Sequence, residues 1–197
     1  MMERRWLFYP CFASCCRFYY NAIHSNCPDL SVRRVLVENL IDEETDRQCG
    51  SEPHPLLGVR FAKALGRSED EVWNWEPSVT MKMGIAWNMQ MARRTPWQVA
   101  VAGTAGPGEM PFSPAAQAFA EGCLKHYGMS RYEVEFFAVH VEGDAVHGEA
   151  AMKIVTDYAN TDEKRQECYQ AWKDGVDVWY AMIDACCRAT ELKMERW

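Results

Sequence analysis

Along most of this chain apolar residues return every three or four positions, and two-residue alternation is scarce, so the pattern predicts helices rather than strands. DLSVRRVLVENLIDEETD, PLLGVRFAKALG and TMKMGIAWNMQMARR are three amphipathic segments, and the aromatic N-terminal segment adds another. Ser113-Pro114 reads as an N-cap followed by proline at the first helical position. It opens a helix through AAQAFAEGCLKHYG that Gly128 closes. Ser130 caps the next helix, which carries FFAVHVEGDAVHGEAAMKIVTDYA. Thr161-Asp162-Glu163 starts a last long helix, where Cys168, Trp172, Val176, Trp179, Met182 or Ile183, and Cys186 recur at three- and four-residue steps. The breaks around Gly50 to Pro53, Trp75 to Ser78, Gly103 to Gly108 and Asn160 are too short for interdomain linkers. The predicted fold class is all-α, a compact bundle of six or seven helices forming a single domain over residues 1–197.

Composition narrows the partners. With 197 residues, 48% of them hydrophobic, the chain can bury a sizeable core. A net charge of −7 speaks against nucleic acid, and the apolar runs are too short to span a bilayer. MMERRWLFYPCFASCCRFYY begins with basic residues, but Pro10 and Arg17 interrupt its apolar part and no small-residue cleavage site follows. It is not read as a signal peptide. The nine cysteines are odd in number, contain no CxxC and include the vicinal pairs Cys15–Cys16 and Cys186–Cys187. They read as free thiols in a reducing compartment, and the expected location is the cytoplasm.

The chemistry concentrates in VHVEGDAVHG. On a helix, His140, Asp144 and His147 fall within about 60° of arc and form one stripe. Phe136, Phe137, Val139 and Val146 flank the stripe, so the ionisable groups are expected to be partly buried, where a cation is one efficient partner. Gly143 and Gly148 each cost about 1 kcal/mol against alanine in a helix, but also permit close approach of a neighbour. An opposite wall is available in ENLIDEETD, where Glu38, Asp42, Glu43 and Glu44 share a helix with Val35, Leu36, Val37, Leu40 and Ile41. Glu43 lies within about 60° of Leu36 and Leu40 and is the carboxylate expected to face inward, with Glu44 as the alternative. His54 opens the following helix. From the residues alone a metal site and a structural set of hydrogen-bonded or solvated groups both stay open.

The order ENLIDEE, HPLLGVRFAKALG, EPSVT, GCLKHYG and FFAVHVEGDAVHGEA resembles the haem-oxygenase-like di-iron oxidases and oxygenases, over most of the chain from about Cys27 to Tyr158. That family includes the chlamydial death-domain-associating protein and its para-aminobenzoate-forming relatives, and shares its fold with thiaminase II and pyrroloquinoline-quinone synthase C. The resemblance implies a haem-oxygenase-like bundle with Glu43, His54, Glu109, His140, Asp144 and His147 as metal ligands. It also implies two Fe(II) ions as cofactors and dioxygen as co-substrate. Glu109 lies in GTAGPGEMPF, whereas Glu121 sits within a predicted helix and is the competing carboxylate. Ten residues after Glu109, where the para-aminobenzoate-forming members carry a lysine, this chain has Phe119.

The implied activity is a biosynthetic non-haem di-iron oxidase or oxygenase acting on a small molecule, an amino acid or related carboxylate. Arg60, Arg93 and Arg94 are the candidates to bind the substrate carboxylate. Two alternatives remain: a metal-free thiaminase II-like enzyme with Cys123 or Cys168 as nucleophile, and a helical interaction module without catalysis. No nucleic acid or membrane partner is expected, and the number of chains that assemble is left open, a homodimer included.

Overall fold

The computed structural model describes residues 18–45 and 52–194. Among them the chain is helical and contains no strand. Residues 18–26 form α1, followed by α2 (Leu30–Glu44), α3 (His54–Ala64), α4 (Glu69–Trp73), α5 (Val79–Arg94) and α6 (Trp97–Gly103). α7 (Ala105–Glu109), α8 (Phe112–His126), α9 (Glu135–Tyr158) and α10 (Asp162–Met194) complete the order. The MMERRWLFYPCFASCCRFYY reading falls mainly outside the described residues, as do Cys15, Cys16 and most of the break before Pro53. No helix among the described residues is long and apolar enough to cross a membrane.

Two helix starts show how local chemistry sets the ends. Asp29 caps α2 by accepting from the amides of Ser31 at 2.8 Å and Val32 at 3.2 Å. Thr161 starts α10, its hydroxyl accepting from the Lys164 amide at 3.2 Å. Ser113 does not cap α8, which begins at Phe112. Its hydroxyl instead donates to the Val141 carbonyl at 2.8 Å and ties α8 to α9. Ser130 makes a reciprocal cap with Glu133, but around the turn that precedes α9. Gly128 adopts φ +67° just past the end of α8, as a helix-closing glycine does.

The break expected from Gly103 to Gly108 is mostly helical: α6 runs to Gly103, and α7 follows after a single kink at Thr104 (φ −110°, ψ −65°). The glycines there are used for proximity. A Cβ on Gly175 of α10 would stand 2.2 Å from the Gly103 carbonyl oxygen, so the two backbones meet where only glycine fits. Gly148 does the same for α9, where a Cβ would stand 2.6 Å from Met110 Cγ. The end of α7, with Glu109, is thereby set down on α9. Nothing lies within 4 Å of a Cβ on Gly143.

α9 explains where the core sits. Phe136 and Phe137 belong to one apolar cluster with Leu57, Phe61, Ala116 and Cys123. Ala151 and Ile154 belong to another with Tyr20, Ile23, Leu36, Met81 and Met182. Between them, on the same buried face, stand His140, Asp144 and His147. The band between the two oily clusters is therefore ionisable.

Candidate metal centre

Each wall of the site comes from a stripe that changes character partway along its helix. On α2 the buried positions Val32, Leu36, Asn39 and Glu43 recur every three or four residues, so the apolar face ends in a carboxylate; Asp42 is buried beside it. On α3 the face of Leu57 and Phe61 begins with His54 at the first helical position, directly after Pro53. On α9 the triad occupies the middle of the buried face. Asp42, Glu43, His54, Glu109, His140, Asp144 and His147 are all under 10% exposed.

Glu43, His54 and His140 each bring a donor atom to one point, with the three atoms within 4.8 Å of one another. His54 Nδ1 lies 3.3 Å from Glu43 Oε2, and the His54 and His140 rings have centroids 4.4 Å apart. His140 Nδ1 faces the Phe136 carbonyl oxygen at 2.5 Å and donates its proton there, leaving Nε2 with a free lone pair. Phe136 and Phe112 pack against the same imidazole, at 4.4 and 5.4 Å between centroids. His147 Nε2 lies 3.0 Å from Asp42 Oδ2. Glu109 is buried with Oε2 lacking a hydrogen-bond partner, and Asp42 Oδ1 is likewise unpartnered.

Burial dominates the electrostatics. It drives Glu109 up to about 8 and Asp144 well above the carboxylate range, the latter reinforced by Glu109, Glu43 and Asp42. It pushes Asp42 up against the opposing pull of His147, and holds His147 down. His140 falls to about 4, through burial and then the neighbouring His54. For Glu43 burial acts upward, but the facing His54, with His140 and His147, outweighs it and the carboxyl ends below its usual value. His54 is the mirror case: burial acts downward, yet Glu43 and Asp42 carry it upward.

The donor set fits divalent metal. Buried carboxylates forced toward protonation and an imidazole with its spare nitrogen aimed inward are destabilised alone and satisfied by a cation. Asp42, Glu43, Glu109 and Asp144 are the buried carboxylates of this band. Mixed imidazole and carboxylate ligands suit iron.

The other residues singled out by sequence are placed elsewhere. Glu44 and Glu121 are exposed, Glu121 accepting from Gln117 at 3.0 Å. Arg93 and Arg94 are exposed at the end of α5. Arg60 is engaged by Glu52, Glu135 and the Tyr132 carbonyl. Val146 points outward at 65% exposure, unlike the flanking role expected of it. Cys123 and Cys168 pack in apolar clusters, and burial pushes both thiols up, which opposes a thiolate nucleophile. Asp42 stands among the four acids of ENLIDEETD, but the sequence reading favours Glu43, with Glu44 as alternative, as the inward carboxylate. Asp42 follows Val35 by seven residues and so shares that residue's core-facing side, the one signal that pointed to it.

Residues 18–180 match a family described as iron-containing redox enzymes. The 4-aminobenzoate synthase of Nitrosomonas europaea is 29% identical over 84% of this chain and 70% of its own length. The pyrroloquinoline-quinone synthase of Cronobacter sakazakii is 25% identical over 89% of this chain and 72% of its own. Among solved structures, a TenA homologue from Pseudomonas syringae pv. tomato superposes with a TM-score of 0.79 at 16% identity, covering 95% of this chain and 79% of its own. A domain with a haem-oxygenase-like fold from Shewanella denitrificans superposes with a TM-score of 0.76 at 12% identity, covering 98% and 82%.

Proposed function

Since the chain belongs to the iron-containing redox enzyme family, we propose that it is a dioxygen-dependent di-iron enzyme of small-molecule biosynthesis. The observation that carries the reading is the meeting of Glu43, His54 and His140 within 4.8 Å, in a buried band that also holds Asp42, Glu109, Asp144 and His147. Glu43, His54, Glu109, His140, Asp144 and His147 would hold two ferrous ions, which when bound supply electrons to dioxygen. The 4.8 Å grouping and the unpartnered Glu109 Oε2 support this assignment.

The protein's own groups do the rest. The Phe136 carbonyl fixes the His140 tautomer, and the Phe112 and Phe136 rings keep water from that imidazole. Without metal, Glu109 retains its proton near neutrality; binding would release it. The substrate is an amino acid or related small carboxylate. The products named for the relatives support this class, 4-aminobenzoate being itself an amino-substituted carboxylate. Phe119, where the resemblance implies a lysine in para-aminobenzoate-forming members, speaks for a different product here. The buried free thiols Cys27, Cys123 and Cys168 support a reducing, cytoplasmic setting.

Anaerobic ferrous loading tests the proposal. More than about one iron per chain is expected, falling in His140→Ala and His147→Ala. Oxygen uptake should then accelerate with one member of an amino-acid panel. Binding well below one iron, or affinity unchanged in both variants, would end the reading.

A further inference from the structure

Arg60 is absent from the donor set, yet it joins the two helices that supply His54 and His140. Its side chain is 13% exposed and lies between α3 and α9. One guanidinium nitrogen, Nη2, donates to Glu52 Oε2 at 2.5 Å. The other, Nη1, donates to the Glu135 carboxylate and, at 3.1 Å, to the Tyr132 carbonyl. The Tyr132 ring covers the guanidinium at 3.8 Å from its centroid. An isolated surface ion pair contributes little, but a planar fork holding two carboxylates and a carbonyl, sealed by a ring, resists displacement.

The two carboxylates stand at telling places. Glu52 lies two residues before His54, in the segment that leads into α3. Glu135 opens α9 and directly precedes Phe136, whose carbonyl sets the His140 ring. Arg60 therefore ties the backbone that carries one imidazole to the backbone that orients the other. The entry to α3 has no side-chain cap of its own.

We propose that Arg60 is a positioning residue that fixes the separation of His54 from His140 through Glu52 and Glu135. The proposal rests on the metal reading above and names a support for it on this chain. Lysine, with a single ammonium, cannot span both carboxylates in that geometry.

Titration of the metal-free protein with Co(II), followed by its visible d–d absorption, tests it without any turnover. Wild-type protein should bind and show a defined spectrum. Arg60→Ala is expected to weaken the affinity by about tenfold or more and to alter the spectrum. Arg60→Lys should restore only part, and Glu135→Gln should shift the spectrum in the same sense while keeping the wild-type melting temperature. If Arg60→Ala loses helical content, Glu135→Gln and Glu52→Gln carry the decision alone. Wild-type affinity and spectrum in Arg60→Ala, or in both carboxamide variants, overturns the clamp while leaving the metal reading intact. Absence of Co(II) binding by the wild type overturns the metal reading, and the clamp with it.

Discussion

Asp42 Oδ2 and His147 Nε2 meet at 3.0 Å inside the bundle, joining the end of α2 to the middle of α9. Both groups are almost wholly buried, and burial drives each toward its neutral form. Asp42 thus orients a triad imidazole from a neighbouring helix, the task that outer-shell carboxylates perform for ligating histidines.

Asp42→Ala should therefore weaken metal binding by roughly 10- to 100-fold. Asp42→Asn keeps an acceptor for the imidazole N–H and should lose less. Competition with a chelating dye reads both. Equal losses in the two variants would mean that charge, rather than the hydrogen bond, is what Asp42 supplies.

The glycines make a contrasting pair. Gly175→Ala drives a methyl to 2.2 Å from the Gly103 carbonyl oxygen, a backbone atom that cannot rotate away. A destabilisation of about 2 kcal/mol or more is expected. Gly143→Ala meets nothing within 4 Å in the interior of α9 and should stabilise by about 1 kcal/mol. Urea unfolding of the metal-free variants measures both, and a stable Gly175→Ala protein would contradict the close packing of α6 on α10.

These residues also show what the sequence made legible. The α9 stripe was readable because helical spacing alone puts positions 140, 144 and 147 on one face, and that face is buried. Glu43 followed from its angle to Leu36 and Leu40. Asp42 did not, because a helical wheel favours one inward carboxylate, whereas the last turn of α2 has both α3 and α9 beside it and buries two. Glu109 was hard for a different reason. Glycine and proline signal a break, and only contact with α9 and α10, distant in sequence, lets that stretch coil as α7. Ser113 looked like a cap because a serine before proline usually is one; its hydroxyl went to a carbonyl of another helix, which no local pattern encodes.

The same burial makes the metal-free fold sensitive to pH. Glu109 titrates at about 8 when folded, against an ordinary value of 4.5. Between those values the folded protein holds a proton that the unfolded chain has released. Its contribution to stability is therefore complete below about pH 4.5 and is lost as the pH rises toward 8. Asp144 is raised too and slopes the same way. His140, lowered to about 4, slopes oppositely: its contribution is present above its ordinary 6.5 and lost as the pH falls through that range. Glu109→Gln is neutral at every pH, so it isolates one component. Relative to wild type, the metal-free variant should melt at a similar temperature near pH 4 and at a higher one near pH 8. Parallel melting curves across that range would show that Glu109 is not confined as the structure places it. Ferrous loading should abolish the wild-type decline, because a bound cation favours the ionised carboxylate.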